Sequence, residues 1–302
     1  MILTVTLNPA VDKTYETAEL IKGQVNRMRS AESLAGGKGI NVTKILRQFD
    51  QPVAAMGFLG GYTGRMIEET MLKIGAECHF TRIAGETRTS INILADSGFV
   101  TEVLEPGPQV TEGEVQIFLQ EFDYCLEKAR IVALCGSAPQ GIDPCFYAQL
   151  VERCNKAGKK VIVDTSGEAL KESVKACPYM IKPNRREMEY LTGKKLRTIQ
   201  DIAEEAHKLV DGGIDKVVVS LGENGLLYAD REYYIRMEAP EVEVVNTVGC
   251  GDSVVASLCM SEVINEEPRE ALHRAAALSA ANAATWESGN IPMDLYREFL
   301  NR

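Results

Sequence analysis

Residues 131–164 read IVALCGSAPQGIDPCFYAQLVERCNKAGKKVIVD. Two nearly unbroken apolar runs, IVALC (131–135) and KVIVD (160–164), bound this stretch. Strands covered on both faces have this composition, as in a parallel sheet. Between the runs, Asp143-Pro144 supplies a cap followed by proline at the first helical position. Runs of the same kind recur as ILTVTL (2–7), VAAMGF (53–58) and KVVVS (216–220). Helical patterns lie between them. Val115, Phe118, Leu119, Phe122 and Leu126 share one helical face, as do Ile199, Ile202, Ala203, Ala206, Leu209 and Val210. Thr198 can cap the second of these helices and Gly212 can end it. Strand–helix alternation predicts an α/β fold, a three-layer α/β/α sandwich with a mostly parallel central sheet.

Two more polar segments, 12–35 and 87–104, interrupt that rhythm. The second alternates as RTSINILA, a Gly98 turn and FVTEVL, which predicts a small antiparallel sheet. The two segments are expected to form a β lid over one end of a core made of 1–11, 36–86 and 105–302. No internal repeat or low-complexity tract is evident.

At 302 residues, with 45% hydrophobic and 25% charged side chains, the chain can build a sizeable core. Its net charge of −10 counts against nucleic acid or an anionic membrane as the main partner. Phosphate recognition needs only a local convergence of basic groups. No two of the eight cysteines are three apart, and His79, His207 and His273 are scattered. Neither a zinc site nor a disulfide framework is suggested, which fits buried thiols in a reducing cytosol. The opening MILTVTLNPAVDKTY lacks a basic flank and runs into Asn-Pro, so it reads as a first strand, not a signal peptide. No run of about 18 apolar residues predicts a membrane span, and a cytoplasmic location is expected.

Four glycine-rich elements punctuate the chain. Ala35-Gly36-Gly37-Lys38-Gly39-Ile40-Asn41 precedes a helical pattern. Glycines there let backbone amides approach an anion, although a plain tight turn reads the same way. It is not a Walker A loop, because no Ser or Thr follows Lys38. Cys135-Gly136-Ser137-Ala138-Pro139-Gln140-Gly141 follows a predicted strand, where open α/β sheets bind ligands or merely turn. Ser220-Leu221-Gly222-Glu223-Asn224-Gly225 is either a ligand loop or a turn into the strand LLY. Thr247-Val248-Gly249-Cys250-Gly251-Asp252-Ser253 opens an apolar helix. Asp252 there could simply cap the helix. The adjacent amides could equally form an anion hole beside a carboxylate base, the combination that phosphoryl transfer to an alcohol requires. Finally, Asn184 and Glu187 in IKPNRRE are spaced either as a capping box or as a pair facing one ligand.

With these elements in order, nearly the whole chain resembles the ribokinase-like, or phosphofructokinase B-type, carbohydrate kinases. Gly36–Asn41 is similar to the N-terminal signature and Asn246–Asp252 to the C-terminal one. GFLGGYTG (57–64), CGSAPQG (135–141), VDTSGEAL (163–170), IKPNRRE (181–187) and VSLGENG (219–225) match between them. TLNPAVD, Thr87-Arg88 and DTSGEAL resemble the hexose-phosphate branch, 1-phosphofructokinase and tagatose-6-phosphate kinase.

The resemblance implies ATP and Mg2+ as partners and an ATP-dependent kinase of a ketohexose phosphate. It implies that Asp252 is the base and that Gly249, Cys250 and Gly251 form the anion hole. Asp12, Gly37 and Asn41 are implied to line the sugar pocket. Lys38 and Arg88, with Arg27 in the lid, are implied to clamp the substrate phosphate. Asn184 and Glu187 are implied to hold Mg2+ through water. Lys182, Ser220, Gly222 and Gly225 are implied near the nucleotide, and Asn282 near its adenine. Exposed lid faces could pair two subunits, as in some relatives.

Fructose 1-phosphate is the expected substrate. TEVLEPGP (101–108) resembles the tagatose branch instead, and KPNRREME the fructose branch. A non-catalytic sugar-phosphate sensor is the alternative of a different class, disfavoured by the intact Asp252 and its glycines. A nicotinamide-dependent dehydrogenase is excluded because no GxGxxG follows the first strand. Two positions depart from the broad signature, Asn246 for Asp and Cys250 for Ala. Asn246 counts against a monovalent-cation site of the ribokinase kind. Cys250 at a helix N-terminus is expected to have a lowered pKa and to be alkylated with loss of activity. Asp252 is expected to keep an ordinary carboxylate pKa near 4.

Overall fold

The computed structural model describes residues 1–97 and 99–302, so the expected Gly98 turn lies outside the described residues. In chain order the strands are β1 (Ile2–Thr6), β2 (Ala10–Thr17), β3 (Ser30–Gly36), β4 (Val53–Leu59), β5 (Glu77–Arg82), β6 (Arg88–Ala95), β7 (Val100–Leu104), β8 (Ile131–Cys135), β9 (Lys160–Asp164), β10 (Met180–Ile181), β11 (Lys216–Ser220), β12 (Leu226–Ala229) and β13 (Tyr234–Met237). The helices are α1 (Lys38–Gln48), α2 (Gly61–Lys73), α3 (Glu112–Lys128), α4 (Cys145–Lys156), α5 (Gly167–Lys175), α6 (Arg185–Thr192), α7 (Ile199–Asp211), α8 (Cys250–Ile264), α9 (Pro268–Ala283) and α10 (Met293–Leu300).

The five apolar runs all become strands of one large sheet, in the order β13-β12-β11-β10-β9-β8-β1-β4-β5. The pairs from β11 to β5 are parallel, and β12 and β13 close one edge in antiparallel fashion. Each buried strand feeds two cores, because successive side chains point to opposite faces. Val161 and Val163 join Phe118, Leu150 and Ile202 of α3, α4 and α7 on one face. Ile162 between them joins Val42, Val254 and Leu272 of α1, α8 and α9 on the other. The result is a three-layer α/β/α sandwich.

Local signals were obeyed. Thr198 Oγ1 accepts from the Asp201 amide in a capping box. Asp143 Oδ1 accepts from the Cys145 amide at the start of α4. Gly212 ends α7, in a right-handed conformation.

The second sheet has the order β3-β2-β6-β7. It is mixed, not antiparallel as the alternation suggested, because β2 and β6 pair in parallel from Ala10↔Arg88 to Thr17↔Ala95. β7 is exposed along its whole length, so its alternation marks no buried face. Among the described residues no helix is long and apolar enough to cross a membrane.

The strand order reverses at β1, which lies between β4 and β8. Open α/β sheets bind ligands at the carboxyl ends of strands flanking such a point. Thr6, Cys135 and Asp164 are in register there, the last residues of β1, β8 and β9.

Candidate active site

Asp252 lies in the first turn of α8, with Gly249 as N-cap in a left-handed conformation (φ 85°). It does not cap the helix. Its carboxylate is buried and accepts a 2.9 Å hydrogen bond from Asn41 Nδ2 on α1. The N-terminal glycine loop and the C-terminal one thus meet at one carboxylate.

Around that contact three charged groups converge. Lys38, first residue of α1, places Nζ 3.1 Å from Asp164 Oδ1. Lys182, just past β10, places its own Nζ 3.4 Å from the same oxygen. Lys182 also lies beside Gly251: a Cβ there would sit 3.3 Å from its Nζ. Asp164 Oδ2 is buried with no hydrogen-bond partner among the described residues. Burial and the neighbouring Asp164 push the Asp252 carboxyl up to about 6. Asn41, Lys38 and Lys182 oppose that rise without cancelling it. The expectation of an ordinary value near 4 is therefore corrected, because desolvation penalises the ionised form.

Cys250 is corrected too. Burial raises its thiol pKa, outweighing the hydrogen bonds to Asn282 and Ser279.

At the other end, Asp12 on β2 is in register with Leu34, beside Gly36 of β3. A side chain at Gly36 would collide with the Asp12 carboxylate, so glycine there leaves room for it. Burial raises the Asp12 pKa, with Lys44, Arg88 and Ser90 acting against it. Arg88 on β6 is half-buried and donates to the Asn8 carbonyl at 3.4 Å. Gly37 caps α1 with φ 107°. Arg27 is not brought to this end: it is exposed and lies past the Glu16–Ser30 end of the β2–β3 pair.

A cavity of about 840 Å³ opens on the far side of Gly251. Ser220, Gly222 and Gly225 line it, with Asn184, Cys250 and Gly251. Small residues of α9 (Ala276, Ser279, Ala280 and Ala283) form another wall. Asn184 and Glu187 do form a capping box, with Asn184 Oδ1 on the Glu187 amide at 2.9 Å and Glu187 Oε2 on the Asn184 amide at 2.8 Å. Asn282 is fully buried behind the cavity wall and does not itself line the cavity. Its Nδ2 donates to the Val248 carbonyl at 2.8 Å, and its Oδ1 accepts from the Gly289 amide.

Sequence reasoning missed Asp164, Lys44 and Asn8. Asp164 was detectable, as a lone carboxylate ending a buried parallel strand. Lys44 was also detectable, three residues beyond Asn41 on the same side of α1. Asn8 lies within TLNPAVD, but no spacing pointed to its contact with Arg88, which is made by its backbone carbonyl.

A nucleotide-sized cavity ending at backbone amides, a buried carboxylate and paired lysines defines a phosphotransferase of the ribokinase-like fold. The chain belongs to the pfkB family of carbohydrate kinases, whose family model matches residues 5–293. It is a sugar kinase. Three solved structures illustrate the likeness. A Staphylococcus aureus protein described as a candidate phosphofructokinase is 32% identical, with TM-score 0.86, covering 100% of this chain and 97% of that one. Phosphofructokinase-2 from Escherichia coli, in complex with substrates and products, is 26% identical with TM-score 0.92, covering 99% and 98%. Another structure of that enzyme is a complex with potassium. A Thermotoga maritima protein described as a possible 1-phosphofructokinase is 28% identical with TM-score 0.90, covering 100% and 97%.

Proposed function

We propose that this protein transfers the γ-phosphoryl group of ATP to fructose 1-phosphate, giving fructose 1,6-bisphosphate. The observation that carries this reading is the Asn41–Asp252 hydrogen bond, which joins the Asp12 end of the site to the anion loop. The relative described as a possible 1-phosphofructokinase supports the same substrate.

Asp252 takes the proton from the attacking sugar hydroxyl, and Asn41 fixes its carboxylate. The Gly249–Gly251 amides and Lys182 hold the charge that develops on the transferred group. Lys38, expected at the substrate's own phosphate, is instead held by Asp164 beside them, so Arg88 alone clamps that phosphate, with Asp12 on the sugar hydroxyls. Arg27 is left without a role in this subunit's site. The apolar wall of the cavity takes the nucleoside.

Mg2+ fits the residues present. Asp164 Oδ2 is an unpartnered buried acceptor, and Glu187 Oε1 stays outside the capping box. These groups, with Asn184, would hold the ion directly or through water. The ion would neutralise charge on the ATP phosphates. Potassium, present in a structure of the Escherichia coli enzyme, fits less well. At Asn246 the side-chain nitrogen, a donor, faces the Trp286 carbonyl.

The four-stranded sheet would act as a lid that excludes water. Its exposed β7 face is where a second subunit would pack. The reading places the enzyme in the cytoplasm. TEVLEPGP favours tagatose 6-phosphate as the second substrate reading. A coupled ADP-release screen over fructose 1-phosphate, tagatose 6-phosphate, fructose 6-phosphate and free hexoses tests both. Highest kcat/KM on fructose 1-phosphate is expected. Binding of sugar phosphate without turnover would make the protein a sensor instead.

A further inference from the structure

The loop that opens α8 is tied to the segment following α9 by a set of neutral hydrogen bonds. Val245 and Asn246 amides both donate to the Ala283 carbonyl, at 2.8 and 3.1 Å. Asn246 Nδ2 donates to the Trp286 carbonyl at 2.9 Å, and Asn246 Oδ1 accepts from the Val248 amide at 3.0 Å. Asn282 Nδ2 and Ser288 Oγ both reach the Val248 carbonyl, at 2.8 and 3.1 Å. Val248 directly precedes Gly249, where the amides beside Asp252 begin. The orientation of the Asn246 amide is set by its partners. A flipped amide would put oxygen against the Trp286 carbonyl and nitrogen against the Val248 N–H.

We propose that Asn246 is a positioning residue, a neutral cross-link that fixes the anion loop and makes it independent of any monovalent cation. The argument is one of donors and acceptors. With aspartate at this position, a carboxylate oxygen would face the Trp286 carbonyl oxygen with no proton between them. That pair holds together only around a cation. The asparagine amide makes the same link with a hydrogen bond and leaves no site for the ion. Among the described residues the Asn246 side chain bonds only to the Trp286 carbonyl and the Val248 amide and makes no hydrogen bond to Asp252, so it acts through Val248 and Gly249.

The kinetic part of this inference rests on the kinase reading above, but its second readout does not. Trp286 is the only tryptophan in the chain and is 66% exposed. Its emission and anisotropy report on the tied segment without substrate or turnover. The experiment compares wild type, Asn246→Asp and Asn246→Ala in potassium, sodium and choline chloride at equal ionic strength.

Wild-type anisotropy and kcat should be the same in all three salts. Asn246→Asp should lose about tenfold or more in kcat in choline and regain it in potassium or sodium, with anisotropy following. Asn246→Ala should lose about tenfold in kcat in every salt, with KM for sugar phosphate unchanged. Activation of the wild type by potassium, or an Asn246→Ala enzyme with wild-type kcat and anisotropy, would overturn the proposal. So would an Asn246→Asp protein indifferent to salt in both readouts. If Asn246→Asp fails to fold, the wild-type and alanine arms still decide. Wild type that turns over no sugar phosphate defeats the kinase reading and leaves the fluorescence test standing.

Discussion

Asn41 and Asp252 are 211 residues apart in sequence and 2.9 Å apart in space. Asn41 belongs to the helix that follows the first glycine loop, Asp252 to the helix that follows the last. Each helix presents its N-terminus at the carboxyl end of the sheet, so two partly positive ends face one anionic region. The hydrogen bond orients the carboxylate between them. Burial at this point makes the carboxylate a better proton acceptor than an exposed one.

Replacing Asp252 by Asn keeps the shape of the side chain and removes the base. We expect kcat to fall by about 100- to 10,000-fold. KM for the sugar phosphate should change little. Steady-state kinetics with coupled ADP release measures both, and an Asp252→Asn enzyme with wild-type kcat would end the assignment.

The raised pKa of Asp252 predicts a specific pH profile. A carboxyl pushed up to about 6 stays protonated to higher pH than an ordinary one, and a protonated carboxyl is no base. The rate should therefore decline below about pH 6, by roughly tenfold per pH unit once titration is complete. Asp164 raises this value and Lys38 lowers it. Asp164→Asn should move the acid limb to lower pH, and Lys38→Met to higher pH. Limbs that stay fixed in both variants would show that another group controls the profile.

The fold was written locally, and the site only partly so. KVIVD and KVVVS became β9 and β11 residue for residue, because continuous apolar runs have one solution in a sheet covered on both faces. The pairing of β2 with β6 was not legible. Alternation shows that a strand has two faces but not which way its neighbour runs. Asp252 and its glycines were legible as a motif, whereas their pKa shifts depend on burial that no spacing encodes. Asn282 shows the same limit: its place on an alanine-rich helix gave no sign that it faces inward to the Val248 carbonyl. Arg27 lies away from the site of its own subunit, because it sits in the loop beyond the Glu16–Ser30 end of the β2–β3 pair.

Arg88 is half-buried against the Asn8 carbonyl and next to Asp12. A charge-assisted hydrogen bond is worth roughly 1.5–3 kcal/mol. Arg88→Ala should therefore raise KM for the sugar phosphate by about 10- to 100-fold, with a smaller effect on kcat. KM for ATP should be unaffected. An Arg88→Ala enzyme with normal sugar-phosphate KM would remove the clamp from the mechanism.

Cys250 lines the cavity, so its modification should block nucleotide binding. Burial raises its pKa above that of a free thiol, so little thiolate exists near neutrality. Alkylation should be slow at pH 7 and accelerate through the alkaline range, with ATP protecting. Mass spectrometry of Cys250 against pH measures this directly. Fast modification at pH 7 would restore the expectation of a helix-activated thiolate.

The far end of α8 makes a separate prediction, about stability. Glu262 is buried, and its carboxylate accepts from Lys160 at 2.7 Å, Lys216 at 2.5 Å and Tyr179 at 2.7 Å. Lys160 and Lys216 are the first residues of β9 and β11, so Glu262 ties α8 to the amino edge of the sheet. Ten residues separate it from Asp252, about 15 Å along the helix. Removing one partner of a buried pair is costly, but the two lysines are partly exposed and solvent would screen them. Glu262→Gln should therefore cost about 2 kcal/mol, with kcat nearly unchanged. The hydrogen bonds from the two lysines and Tyr179 hold the Glu262 carboxyl below its usual value, despite burial. A depressed carboxylate stabilises the fold above its unfolded pKa, near 4.3, and loses that contribution as pH falls through the lower folded value. Denaturant melts of wild type and variant should differ fully at pH 7 and converge below about pH 4. A difference that persists unchanged in acid would assign the effect to packing and not to charge.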